Sequence, residues 1–114
     1  MTKPRLTSQF RISALKKLAE VDGGFATLLR KGDLTSGAIL IIGQIRGGDP
    51  ILFERYPAMD GTLAWHRVTL PIGGDDAEIT KYWKNRILRD PDLWVLELDV
   101  ASTERLDRLL AADS

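Results

Sequence analysis

Apolar residues recur along this chain with two periods, and the changes of period mark its elements. From Thr7 or Ser8, either able to cap a helix, to about Val21 the spacing is helical. On a wheel, Phe10, Ile12, Ala14, Leu15, Leu18, Ala19 and Val21 fill one wide arc, and Ser13, Lys16, Lys17 and Glu20 fill the other. The pattern predicts a surface helix lying on a core, with Arg11 inside the apolar arc. Asp22-Gly23-Gly24 ends it. Phe25 to Lys31 alternates weakly and predicts a strand, followed by a loop at Gly32-Asp33-Leu34-Thr35-Ser36-Gly37. Ala38 to Arg46 is apolar on both of its faces, so it predicts a central strand covered on both sides. Gly47-Gly48-Asp49-Pro50 predicts a hairpin loop and Ile51 to Tyr56 the returning strand. Asp60-Gly61 marks a turn before a strand from Leu63 to Leu70.

Pro71 to Gly74 reads as a linker. Asp75 with Glu78 resembles a capping box and opens a helix to about Arg89, with Ile79, Tyr82, Trp83, Arg86 and Ile87 in one arc. Pro91 forbids its regular continuation. In the strand that begins at Leu93, Trp94, Leu96, Leu98 and Val100 point one way, and Leu93, Val95, Glu97 and Asp99 the other. The first face reads as core. The second ends in two carboxylates and is a candidate functional surface. Ser102 can cap a last short helix, residues 102–112, carrying Leu106, Leu109 and Leu110. The order is α-β-β-β-β-α-β-α. It predicts an α+β fold with a mixed, largely antiparallel sheet of about five strands, packed by two main helices, with short connections favouring antiparallel pairing among the first strands.

Composition narrows the classes. The 114 residues suit one domain, and 44% apolar with 28% charged residues argues against disorder. Sixteen basic residues balance sixteen acidic ones, so no global charge draws the chain to nucleic acid or an anionic membrane. With no cysteine there is no disulfide, thiolate metal site or thiol chemistry. The N-terminus lacks the apolar core of a signal peptide, and the longest apolar run, Ala38 to Ile42, is far short of a membrane span. These features predict a cytoplasmic protein.

Candidate chemistry is sparse. Glu97 and Asp99 share a strand face and could hold a cation, but no spacing supplies a third ligand; a solvated strand end, or pairing with Arg86 or Arg89, is the plainer reading. Arg86, beside Tyr82 and Trp83, could bind an anion, stack on a ring, or pair with Asp90 or Asp92. A reach across the turn at Pro91 would couple Arg86 to Glu97. His66 stands alone, without a metal motif, and no serine sits in a nucleophile elbow. The glycine pairs at 23–24, 47–48 and 73–74 match no phosphate-binding loop. A restriction-endonuclease-like site needs Glu-x-Lys on a strand, whereas this strand reads Glu54-Arg55-Tyr56. The Gcn5-related acetyltransferase turn is broken at Gln44-Ile45-Arg46-Gly47-Gly48-Asp49.

Several stretches together resemble one family. They are Arg5-Leu6-Thr7-Ser8-Gln9-Phe10 through Ser13-Ala14-Leu15, Gly23-Gly24-Phe25-Ala26, Arg30-Lys31-Gly32-Asp33, Ser36-Gly37-Ala38 and Asp90-Pro91-Asp92-Leu93-Trp94-Val95-Leu96-Glu97. They are similar to domain of unknown function 1491, a small alphaproteobacterial group, up to about Asp99. The resemblance implies a cytoplasmic protein without assigned activity, so no catalytic residue carries over. Val100 to Ser114 departs from it as an extra helix where a short polar tail is expected. The expectation is a non-enzymatic interaction module without cofactor or metal, acting on another protein or as a homodimer joined through the last helix. The alternative is a ligand pocket or weak enzyme near Tyr82, Arg86, Asp92, Glu97 and Asp99.

Overall fold

A computed structural model describes residues 6–57, 59–61, 63–70 and 75–113. The predicted linker at 71–74, and Arg5, where the family resemblance opens, lie outside them. The elements run α1 (Ser8–Val21), β1 (Phe25–Arg30), β2 (Ile39–Ile45), β3 (Ile51–Pro57), β4 (Leu63–Val68), α2 (Asp76–Arg89), β5 (Trp94–Val100) and α3 (Thr103–Ala112). Each helix starts where a side-chain oxygen meets a bare first-turn amide. Thr7 accepts from Phe10, Asp75 from Glu78 and Ser102 from Arg105.

One five-stranded sheet has the order β1-β5-β2-β3-β4. β2–β3, β3–β4 and β1–β5 are antiparallel, and β2–β5 is parallel. The expected antiparallel pairing therefore holds from β2 to β4 but not between β1 and β2. β5 lies between those two because its two apolar faces suit an interior position, whereas β1, exposed or half-buried throughout, suits an edge.

Helices cover both faces of the sheet. α1 and α3 bury Ile12, Leu15, Ala19, Leu106, Leu109 and Leu110 against Ile39, Ile41, Trp94, Leu96, Leu98 and Val100. α2 buries Ile79 against Leu40, Ile42, Leu52, Leu93 and Val95, with Tyr82, Trp83 and Ile87 half-buried beside it. β2 is thus covered on both sides, as its sequence predicts. The strand carrying Glu97 is too, because Leu93 and Val95 lie under α2. At Gly43, a Cβ would meet the Leu106 side chain at 2.7 Å, so α3 sits directly on β2.

Two expectations need correction. The three leucines of α3, expected to lean towards a second copy of the chain, are buried in this chain's own core. Their burial contributes roughly 5–9 kcal/mol before entropy losses, which a short helix needs to form. The apolar arc of α1 is in fact two stripes. Ile12, Leu15 and Ala19 face the sheet, while Phe10, Leu18 and Val21 are exposed. The sheet is reached by one stripe, and among the described residues the other remains exposed.

Candidate functional site

The stretches that carry the family resemblance meet in space. The Asp33 amide donates to the Asp92 carbonyl at 3.0 Å, and the Trp94 indole N–H donates to the Asp33 carbonyl at 2.7 Å. Arg30 donates to the Pro91 carbonyl at 2.8 Å. The Asp33 carboxylate accepts the Thr35 and Ser36 amides, and these bonds hold its pKa below the ordinary carboxylate range. At Gly32 or Gly37, a Cβ would collide with the Asp92 carbonyl, so the loop lies against Asp92 closely enough to require glycine. The buried Ser8 hydroxyl donates to the Gly37 carbonyl at 2.6 Å, while the Ser8 and Gln9 amides donate to Thr35 and Leu34. These contacts satisfy bare amides at the start of α1. They fasten α1, the 31–38 loop and β5 together, and they are structural. Asp92 takes part through its backbone, with an exposed side chain.

The other candidates separate into two groups. On the α2 face, Glu54 pairs with Arg86 and accepts the Tyr82 hydroxyl at 3.0 Å. Asp90 lies 4.0 Å from Arg86, one helical turn on. Desolvation raises the Tyr82 pKa, with Arg89 acting against it. Glu97 stands at the other end of α2. Burial first, then Asp76 and Asp99, push its carboxyl pKa up. From Asp76 to Arg86 is about 15 Å along the helix axis, so the expected Arg86–Glu97 pairing is replaced by Arg86–Glu54. Asp99 accepts the Gly47 amide at 3.2 Å. It thereby steadies a turn in which Arg46 and Gly47 both take positive φ, 51° and 71°. His66 sits across from Glu54 and stacks on Tyr56, ring centroids 3.8 Å apart. Among the described residues no group of three or more His, Asp or Glu could hold a metal ion, and no helix is long and apolar enough to cross a membrane.

A cleft lies elsewhere, along the exposed stripe of α1. It encloses about 690 Å³ between Phe10, Ala14 and Leu18, the 35–38 loop, Leu63 and the end of α3. A smaller hollow over Trp65 and Leu110 also touches Leu63. In the larger cleft, Arg11 grips Asp113 with two bonds, Nε at 3.0 Å and Nη2 at 2.6 Å. Arg55 donates to the Asp113 carbonyl at 3.1 Å and lies 3.4 Å from its carboxylate. Asp113 is the C-cap of α3, so the two cations also face the negative end of that helix. Sequence reading flagged Arg11 by its place in an apolar arc. It missed Glu54, Arg55 and Asp113, whose partners are set by the sheet order. The one local signal was Glu54 itself, a charge in register with Leu52 on an apolar strand.

Solved structures share this fold. A family protein from Caulobacter crescentus, known by crystallography, is 30% identical, with 86% of this chain and 91% of that one covered at a TM-score of 0.78. The solution structure of protein Atu0922 from A. tumefaciens is 27% identical, with 90% and 92% covered at a TM-score of 0.71. No curated protein matches the chain. The family described as "Protein of unknown function (DUF1491)" matches residues 6–107. The match runs past Asp99 into α3, so the last helix starts within the shared region rather than after it. On a match of this extent, the chain belongs to the DUF1491 family.

Proposed function

We propose that this protein is a single-domain, cytoplasmic, non-enzymatic interaction module that docks another protein in the cleft along α1. One observation carries the reading. Phe10, at 57% exposure, and Leu18, at 44%, line the same cleft beside Leu6 and Leu63. Single exposed apolar residues are ordinary, but several rimming one concavity mark a binding surface. The ligand-pocket alternative draws on Tyr82, Arg86, Asp92, Glu97 and Asp99. It has less support, because Arg86 and Tyr82 both engage Glu54, and Glu97 lies at the far end of α2.

Photo-crosslinking in cells tests the reading. A benzophenone side chain replaces Phe10 in one version and Leu88, which is more exposed and lines neither of the two hollows described above, in another. A discrete adduct with another protein from position 10, absent from position 88, is the expected result. An adduct of twice the chain mass would replace the partner by a second copy. No adduct from position 10 would overturn the docking surface.

A further inference from the structure

Among the described residues the sheet has two edges, and the chain treats them differently. β1 and β4 each pair on one side alone. An edge strand presents a row of unpaired backbone N–H and C=O groups, and charged side chains are a usual guard against unwanted pairing. β4 carries such a guard in the exposed Arg67. On β1, the stretch from Gly23 to Leu29 has no charge at all. Phe25 is 72% exposed there, and Leu28 and Leu29 are exposed beside it. The first charge, Arg30, is turned back to the Pro91 carbonyl. The one guard on this edge is the bulge between Leu28 and Arg30, which leaves Phe25 to Leu28 in regular register.

We propose that β1 pairs antiparallel with β1 of a second copy of this chain, about a two-fold axis at Thr27, joining the two sheets into one. The strand's own residues single out this occupant. Paired side chains share a sheet face, so the register sets Thr27 against Thr27, Ala26 against Leu28 and Phe25 against Leu29 of the copy. Continued outwards, it brings the exposed Lys31 of each copy level with the exposed Asp22 and Gly23 of the other, so unlike charges meet at both ends. A parallel pairing would set Lys31 beside Lys31 and Asp22 beside Asp22 instead. The interface does not depend on the cleft and leaves it open, since Arg55 and Leu63 of the cleft belong to β3 and β4, across the sheet from β1.

Light scattering of the full chain over a dilution series tests this. The mass should rise with concentration from 12.7 kDa towards twice that value. Thr27→Lys puts two like charges at the axis and should weaken the dimer at least about tenfold. Lys31→Glu should weaken it about threefold, and adding Asp22→Lys to that variant should restore it. Thr27→Cys, in a chain with no other cysteine, should be joined into a covalent dimer by a short bis-maleimide, whereas Leu88→Cys, also exposed, should not. Should Thr27→Lys not fold, the crosslink decides in its place. A monomer at every concentration would overturn the proposal and leave this edge to a strand of another protein. A dimer indifferent to Thr27→Lys, or one not joined through position 27, would overturn it by placing the contact elsewhere. A charge exchange that fails to restore the dimer would overturn the antiparallel register.

Discussion

The two faces of the sheet are covered in different chemical styles. Beneath α1 and α3 lies a continuous apolar layer in which six helix residues are buried, and its charged groups gather at the rim, around Asp113. Beneath α2, Ile79 is the one buried helix residue. Its neighbours there are half-buried and partly polar, and Tyr82 and Arg86 meet a glutamate rising from the sheet. The first covering holds the fold by area. The second also depends on polar groups finding their partners, and such arrangements contribute less net stability than the same volume of hydrocarbon.

Denaturation of single variants can break this comparison. Trp94→Ala should have the largest effect, about 3–5 kcal/mol, since it empties the centre of the α1/α3 layer and removes the tie to Asp33. A loss below about 1 kcal/mol would mean that this layer is not the main core. Leu106→Ala should cost about 3–4 kcal/mol and Ile79→Ala about 2, within the usual range for such truncations. Equal losses would erase the difference between the faces. A double-mutant cycle on Glu54→Ala and Arg86→Ala should give a coupling above about 0.5 kcal/mol, whereas Arg86→Ala with Glu97→Ala should be additive. Coupling in the second pair would restore the reach across the turn at Pro91.

The smallest effect sharpens the picture of the α2 face. The raised pKa of Glu97 means that its proton is held more tightly in the folded protein than in the unfolded one. Its ionised form therefore costs stability, and this cost grows as pH rises from the ordinary glutamate range through the folded value. Glu97→Gln should stabilise the protein slightly at neutral pH and lose that gain in acid, as read by melting temperature against pH. A gain independent of pH would assign the effect to something other than charge.

How far the fold could be read from the chain depended on the range of the signal. Helix caps at Thr7, Asp75 and Ser102, and the doubly apolar β2, are local patterns, and each was legible. The insertion of β5 between β1 and β2 is a choice among edges that no local period encodes. The same limit applies to the cleft. Phe10 and Leu18 share an arc with Ile12 and Leu15, and a wheel cannot say which part of a wide arc the sheet will reach. Arg55 and Asp113 come together only once β3 and the end of α3 are both in place.

The position of β5 also governs the order in which the molecule can be completed. The strand that seals β2 on one side, pairing Ile39 with Trp94 and Ile45 with Val100, comes near the end of this sequence. During synthesis β2, β3 and β4 can form their antiparallel ladder first, but the open edge of β2 must wait, together with all of β1. For that interval β2 offers an apolar, unpaired edge, the kind of surface that recruits chaperones or aggregates. Pairing of β5 along β2 ends the exposure, and the contacts of Asp33 with Asp92 and Trp94 fasten the start of β5, so a weakened Asp33 loop should show in the yield of soluble protein before it shows in the stability of what has folded.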